Sequence, residues 1–385
     1  MVYPDNKEFD MRKTISGLAG KKLLIPVLLV ALTGLTPLSA IDVTFTPPKF
    51  GGNFPFVDEI NRQLESIFAQ YGNEIGSTLG PININPKALT GGFATSSIFA
   101  STGATQRGYG GYDKFAVTLG AMGGLKLPSN PFSAVRAISN ILDDVENLNN
   151  MSLGFNPQVL NAQIGFNTSN FLKDELYLGL KLGYFRLGSG PITFSTPSIG
   201  VMANYHLLPQ TRIPTEIIVW RGINLGTGLI YQNTKMEIGI PLPSRRERID
   251  ILGYTLTTMR IDSKLTLGFV ENTFTVPLEA VTSLRLFGFL NLALGMGADL
   301  GFGSADFRLT GTATAFFENL PDSLNPLQNA GLSASMPGKN SPDLFNLKLM
   351  TGLGFSIGPV IIDFPFTFYF LNNGYNLGIT LGYFM

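Results

Sequence analysis

Between Leu344 and Met385 the chain reads as three consecutive runs in which every second residue is apolar. The first contains Phe345, Leu347, Leu349, Leu353, Phe355 and Ile357, with Thr351 as its polar member. The second is Val360, Ile362, Phe364, Phe366, Phe368 and Phe370, and the third is Tyr375, Leu377, Ile379, Leu381, Tyr383 and Met385. The interleaved positions are polar or small, among them Asn346, Lys348, Gly352, Gly354, Asp363, Thr367, Asn376, Gly378 and Thr380. Alternation with period two means strands with one oily face and one wet face. Strands of soluble proteins are usually about five or six residues long. Longer strands with an aromatic-rich apolar face suit a barrel that crosses a bilayer. Gly358-Pro359 reads as a tight turn and Asn372-Asn373-Gly374 as a hairpin.

The closing residues Asn376, Gly378, Leu381, Tyr383 and the terminal Met385 resemble the C-terminal strand of bacterial outer-membrane β-barrel proteins. Met385 departs from the Phe most common there. The resemblance implies recognition by the barrel-assembly machinery and a location in the bacterial outer membrane, with its lipids as the surrounding partners.

Composition agrees. Charged residues are 14%, against about 25% in ordinary soluble domains. Beyond the N-terminal region no apolar run reaches the roughly twenty residues of a transmembrane helix. With no cysteine, neither a disulfide framework nor a lipoprotein anchor is available. The net charge of zero gives no sign of nucleic-acid binding.

Residues 1–40 read as a signal peptide. Arg12, Lys13, Lys21 and Lys22 precede the apolar stretch 23–32, and Leu38-Ser39-Ala40 supplies a cleavage site. Met11 is an alternative start. Residues 41–112 lack barrel patterning. A helix over 56–71 is expected there, with Phe56, Ile60, Leu64, Ile67, Phe68 and Tyr71 on one face and Gly72 as its stop. Residues 88–112 are rich in Gly, Ser, Thr and Ala. The segment is either a plug within the barrel or a periplasmic extension with a weak strand near Ile98.

Residues 113–385 form the expected barrel, with an amphipathic helical insert at 131–150 opened by Asn130 and Pro131. Besides the three terminal runs and 114–127, strands are expected near 159–168, 176–187, 198–208, 217–231, 250–260, 264–280, 284–300 and 307–317. The count is about fourteen, or twelve without weak segments near Ile98 and Met236. Gly303-Ser304-Ala305 is read as a periplasmic turn and 318–343 as a long extracellular connection.

Few residues suggest chemistry. His206 is the single histidine, so a two-histidine metal motif is excluded, and no metal or cofactor is expected. It shares a strand face with Asn204, and no nucleophile motif accompanies it, so a lumen-lining role outweighs a catalytic one. Lys181, Asn204, His206, Asp299 and Lys348 are the inward-facing candidates for ligand contact. The charge run Ser244-Arg245-Arg246-Glu247-Arg248 is either a solvated loop or a site for the phosphates of surface glycolipid.

In length and order of parts the chain resembles the long-chain fatty-acid transporters of the outer membrane (FadL-like), whose barrel is closed by an N-terminal hatch. That resemblance implies a channel for hydrophobic small molecules such as fatty acids. A general porin, a structural or adhesive surface barrel and, less favoured, an outer-membrane hydrolase remain as alternatives; an enzyme is not expected. Since a one-residue slip turns a strand's oily face inward, deletion of residues 383–385 is expected to block insertion, as read by loss of heat-modifiable protein in the membrane fraction. Normal insertion would make the terminal match accidental.

Overall fold

The structure, a computed structural model, describes residues 42–51, 56–79, 85–101, 114–127, 152–169, 175–212, 217–242, 244–251, 254–318, 326–335 and 337–385. The expected signal peptide at 1–40 and helical insert at 131–150 lie outside them. Ten antiparallel strands close into a ring: β1 (Phe115–Lys126), β2 (Gly154–Asn167), β3 (Leu176–Tyr184), β4 (Ser198–Leu208), β5 (Ile218–Pro241), β6 (Tyr254–Leu286), β7 (Leu290–Glu318), β8 (Phe345–Ile357), β9 (Val360–Tyr369) and β10 (Gly374–Phe384). Each pairs with its neighbours in sequence, and β10 closes on β1, with Gly374 opposite Lys126 and Phe384 opposite Ala116. The chain end is tied in: Met385 donates its N–H to the Phe115 carbonyl at 2.9 Å. Shorter strands extend this sheet to fifteen.

The expected all-β antiparallel transmembrane barrel is therefore what the chain forms. Among the described residues no helix is long and apolar enough to cross a membrane. The closed ring abolishes free edges, the condition for a sheet in lipid. Connections 168–175, 209–217, 287–289 and 358–359 gather at the end where the chain terminates. The strand ends that flank the longer connections 127–153 and 319–344 are at the opposite end. Short turns mark the periplasmic side and long connections the extracellular side.

Several strands run longer than the sequence suggests. The runs 250–260 and 264–280 fall largely in one strand, β6, and 284–300 and 307–317 largely in one strand, β7, with 284–286 ending β6. The expected turn at Gly303-Ser304-Ala305 is absent. Gly303, with φ of 129°, sits opposite Thr273 in an unbroken ladder, and the β6–β7 turn comes earlier, at Phe287 and Gly288. Met236 lies within β5.

The reason is a reversal of sides. Every odd-numbered residue of β6 from Thr257 to Ser283 faces inward and is buried. Below Val270 this inner row is largely polar, with Glu271, Thr273, Thr275 and Glu279, while the outer row exposes Phe274, Leu278 and Leu284. Above Val270 the inner row becomes Met259, Ile261, Leu265, Leu267 and Phe269, and the outer row carries Arg260, Asp262 and Lys264. In β7 the change falls between Phe302 and Ser304: Leu292, Leu294 and Met296 point outward below it, and Phe307 and Leu309 point inward above it. In β5 it falls between Tyr231 and Asn233. The register aligns all three, since Phe274 pairs with both Tyr231 and Phe302, and Asn272 with both Asn233 and Ser304. Lipid lies outside the lower half and water outside the upper half.

The upper halves enclose an apolar core completed by helix α1 (Val57–Leu79). Its buried stripe is Ile60, Leu64, Phe68 and Tyr71. Burying four such side chains contributes roughly 6–12 kcal/mol before chain entropy is charged. Asp58 and Glu59 sit in the first turn, where the helix dipole favours them. The helix does not stop at Gly72, which faces the Phe45 ring, and continues to Leu79. Phe56 precedes the helix with φ of 123° and is 49% exposed, so it leaves the expected stripe.

An arginine at Leu294, on the lower outer face, is expected to cost about 2–4 kcal/mol, whereas one at Thr312, above the reversal, should stay within about 0.5 kcal/mol. Urea unfolding of the two variants in liposomes measures this. Equal costs would mean that both positions face the same solvent.

Candidate functional site

Helix α2 (Pro86–Ser101) occupies the interior of the ring. The weak strand expected near Ile98 is thus part of a helix, and every residue from Leu89 to Ser101 is buried. Residues such as Gly91, Gly92, Ala94, Ser96 and Ser97 give it no single oily face, because it has wall on all sides. An eight-stranded ring is filled by its own side chains; ten strands leave room for one helix of small residues. Glycines bring the backbones together: a Cβ on Gly154 would lie 2.0 Å from the Gly92 carbonyl oxygen, and one on Gly124 would lie 2.3 Å from that of Ser96.

Polar contacts hold α2 in place. Ser97 Oγ meets Thr273 Oγ1 at 2.9 Å, Ser101 Oγ donates to Thr275 Oγ1 at 2.7 Å, and Thr95 Oγ1 accepts the Asp343 N–H at 3.0 Å. The free carbonyls at the helix C-terminus also find donors. Asn376 Nδ2 donates to the Phe99 carbonyl and Lys181 Nζ to that of Ser101. Lys181 is fully buried, and its charge lies against the negative end of the helix dipole.

Two polar layers frame the helix. In one, Gln232 Nε2 donates to Asn156 Oδ1 at 3.0 Å and Asn156 Nδ2 to Thr234 Oγ1 at 2.9 Å, beside Glu271. In the other, Lys348 Nζ bridges Glu279 and Asp299, the latter at 2.5 Å. Tyr369 donates to the second Asp299 oxygen at 2.8 Å, and its ring stacks on Phe99 of α2 at 3.9 Å. A chain of contacts therefore runs from Lys348 through Asp299 and Tyr369 to the helix.

Of the inward-facing candidates, Asp299 and Lys348 meet in one cluster, and Lys181 stands apart at the end of α2. Asn204 and His206 lie lower on β4. His206 packs edge-on against Tyr177, with its Nε2 3.2 Å from the Arg221 carbonyl oxygen. Glu279, Tyr369, Asn156 and Gln232 escaped the sequence reading, although all but Gln232, which Asn233 follows, alternate with outward apolar residues as inward polar groups do. Arg245 engages Glu74 and Glu247 and lies 5.7 Å from the Tyr71 ring centroid, which ties it to α1. Among the described residues no group of His, Cys, Asp and Glu is arranged to hold a metal.

A family model described as Lsa36-like matches residues 44–385. The chain belongs to the Lsa36-like family. No curated protein matches this sequence. Solved structures similar to this Lsa36-like chain include the translocator domain of the autotransporter NalP from Neisseria meningitidis. That match has 9% identity and a TM-score of 0.25, covering 83% of this chain and 98% of that one. Another is the Ralstonia pickettii toluene transporter TbuX, at 10% identity and TM-score 0.25, covering 77% and 99%. A Pseudomonas aeruginosa FadL homologue matches at 10% and 0.23, covering 77% and 96%. The closed ring with its lipid-facing lower belt makes the Lsa36-like chain an integral barrel of the bacterial outer membrane.

Replacing Lys348 with Met leaves the buried Glu279 and Asp299 carboxylates without their shared cation, and is expected to cost about 3–5 kcal/mol. Adding Glu279→Gln and Asp299→Asn should recover much of that loss. Chemical unfolding in detergent checks both; a neutral Lys348→Met would remove the cluster from the stability of the barrel.

Proposed function

We propose that the protein is a gated outer-membrane transporter for small hydrophobic molecules, held shut by α2 in its resting state. The observation that carries this reading is the way α2 is seated. It fills the lumen around the level of Phe269 to Thr275, yet much of its anchorage is hydrogen bonds to Thr273, Thr275, Asn376 and Lys181. Each neutral bond is worth about 0.5–1.5 kcal/mol net and the charged Lys181 bond about 1.5–3 kcal/mol, so they can be exchanged one at a time. Above the membrane, the chamber lined by Met259, Ile261, Leu265, Phe269 and Phe307 offers apolar surface wherever the stripe of α1 withdraws. An apolar chamber above a polar, plugged lumen separates capture of an oily molecule from its passage.

A second reading, a closed surface barrel, is favoured by the height of β5, β6 and β7. Their upper halves raise a compact, α1-capped core well clear of the bilayer.

The chain has no cysteine, so Ser97→Cys with Thr273→Cys gives an unambiguous lock between α2 and β6. In the transporter reading, cells carrying the protein take up a fluorescent long-chain fatty acid. The oxidised lock stops uptake, reductant restores it, and deletion of residues 42–101 turns a nearly non-conducting barrel into an open pore in planar bilayers. Uptake indifferent to the lock, or no uptake by the unlocked protein, rejects the transporter in favour of the surface barrel.

A further inference from the structure

On the outer wall, the hairpin 186–195 and β5 border an open cavity of about 430 Å³. Its lining includes Tyr184, Arg186, Thr193, Ser195, Lys235 and Glu237. The ladder places Arg186 opposite Ser195, and Ser195 opposite Lys235, so two cations flank a hydroxyl in one outward row. Among the described residues, neither Arg186 nor Lys235 forms an ion pair, and both are exposed.

The height of this row gives it meaning. Lys235 lies four positions above Tyr231 on the same face, and the Tyr231 and Phe274 rings, 4.9 Å apart, belong to the top of the lipid-facing belt. Four residues rise about 13 Å along a strand, or roughly 9–11 Å along the membrane normal at the usual barrel tilt. The polar layer of a leaflet is about 5–8 Å thick, and Arg and Lys side chains can turn their heads toward it. Arg248, by contrast, pairs with Thr258, sixteen positions beyond Phe274. That is about 50 Å along the strand and far above any headgroup. The charge run 244–248 is therefore remote from the leaflet, whereas the cavity sits just above its polar layer, within reach of the Arg186 and Lys235 side chains.

We propose that this cavity binds the phosphorylated sugar headgroup of an outer-leaflet glycolipid. Guanidinium and ammonium groups meet phosphate oxygens, the guanidinium in its two-pronged manner. Ser195 and Thr193 add hydroxyl donors, Glu237 accepts from sugar hydroxyls, and the half-exposed Tyr184 ring faces the sugar and the first acyl carbons. The site recognises lipid from the side and is independent of the lumen, so it stands or falls separately from transport.

Native mass spectrometry of the full chain in detergent tests it, with diphosphoryl lipid A, fully dephosphorylated lipid A and inorganic phosphate as probes. The diphosphorylated lipid should be retained and its dephosphorylated form held about tenfold or more weakly, in line with the loss of charge-assisted bonds. Arg186→Gln with Lys235→Gln should bring the two lipids to equal, weak retention while the barrel stays heat-modifiable. Excess inorganic phosphate should not displace the lipid. Equal retention of both lipids by the unaltered protein, or undiminished retention by the double variant, overturns the proposal. Displacement by inorganic phosphate alone reduces the cavity to a site for free anions and overturns it as well.

Discussion

A strand that alternates between two faces must have each face match the medium beside it, and in β5, β6 and β7 that medium changes part-way along. The three strands meet this by exchanging the chemistry of their faces at one level, between Phe274 and Asn272 and their partners. The ladder itself continues unbroken. Below that level an oily exterior and a wet interior make a membrane barrel; above it a wet exterior and an oily interior make the wall of an ordinary hydrophobic core. The position of α1, the polar layers around α2 and the outward cationic row near Lys235 all follow from where the exchange falls.

The interior obeys a second constraint. Ten strands leave a lumen too wide for wall side chains alone and too narrow for a bulky helix. The sequence meets it with Gly, Ala and Ser on α2 and with Gly124, Gly154, Gly301 and Gly374 on the wall. Contact this close excludes water, so each buried polar group needs a protein partner. The Lys348, Asp299 and Tyr369 chain and the Lys181 contact with Ser101 meet that need with charge-assisted bonds.

The same exchange of faces explains which parts of the fold were legible in the sequence. β8, β9 and β10 keep one phase throughout and end in clear turns at Gly358 and Asn373, so their boundaries can be read directly. In β7 the apolar set passes from even to odd positions near Gly303-Ser304, and in one dimension such a phase slip looks like a turn. It divided β6 and β7 into four pieces. Helix α2 shows no stripe because it is enclosed from every side, so small-residue composition was its only trace. Asp299 and Lys348 stood out as inward polar residues, but their partners Glu279 and Tyr369 come from other strands, and only the register joins them.

The glycine contacts around α2 also carry a consequence for assembly. A Cβ on Gly374 would fall 2.0 Å from the Phe99 ring, and Asn376 holds the Phe99 carbonyl; both residues belong to β10, the last strand made. A finished ring this tight leaves little clearance for a helix to be threaded in from one end, although it allows a seated helix to shift. The contacts fit a wall wrapped around α2, with the seam between β10 and β1 closing once the helix is in place. In that order the earliest segment waits at the centre, and the final strand, which resembles the assembly signal, seals it in as the barrel shuts.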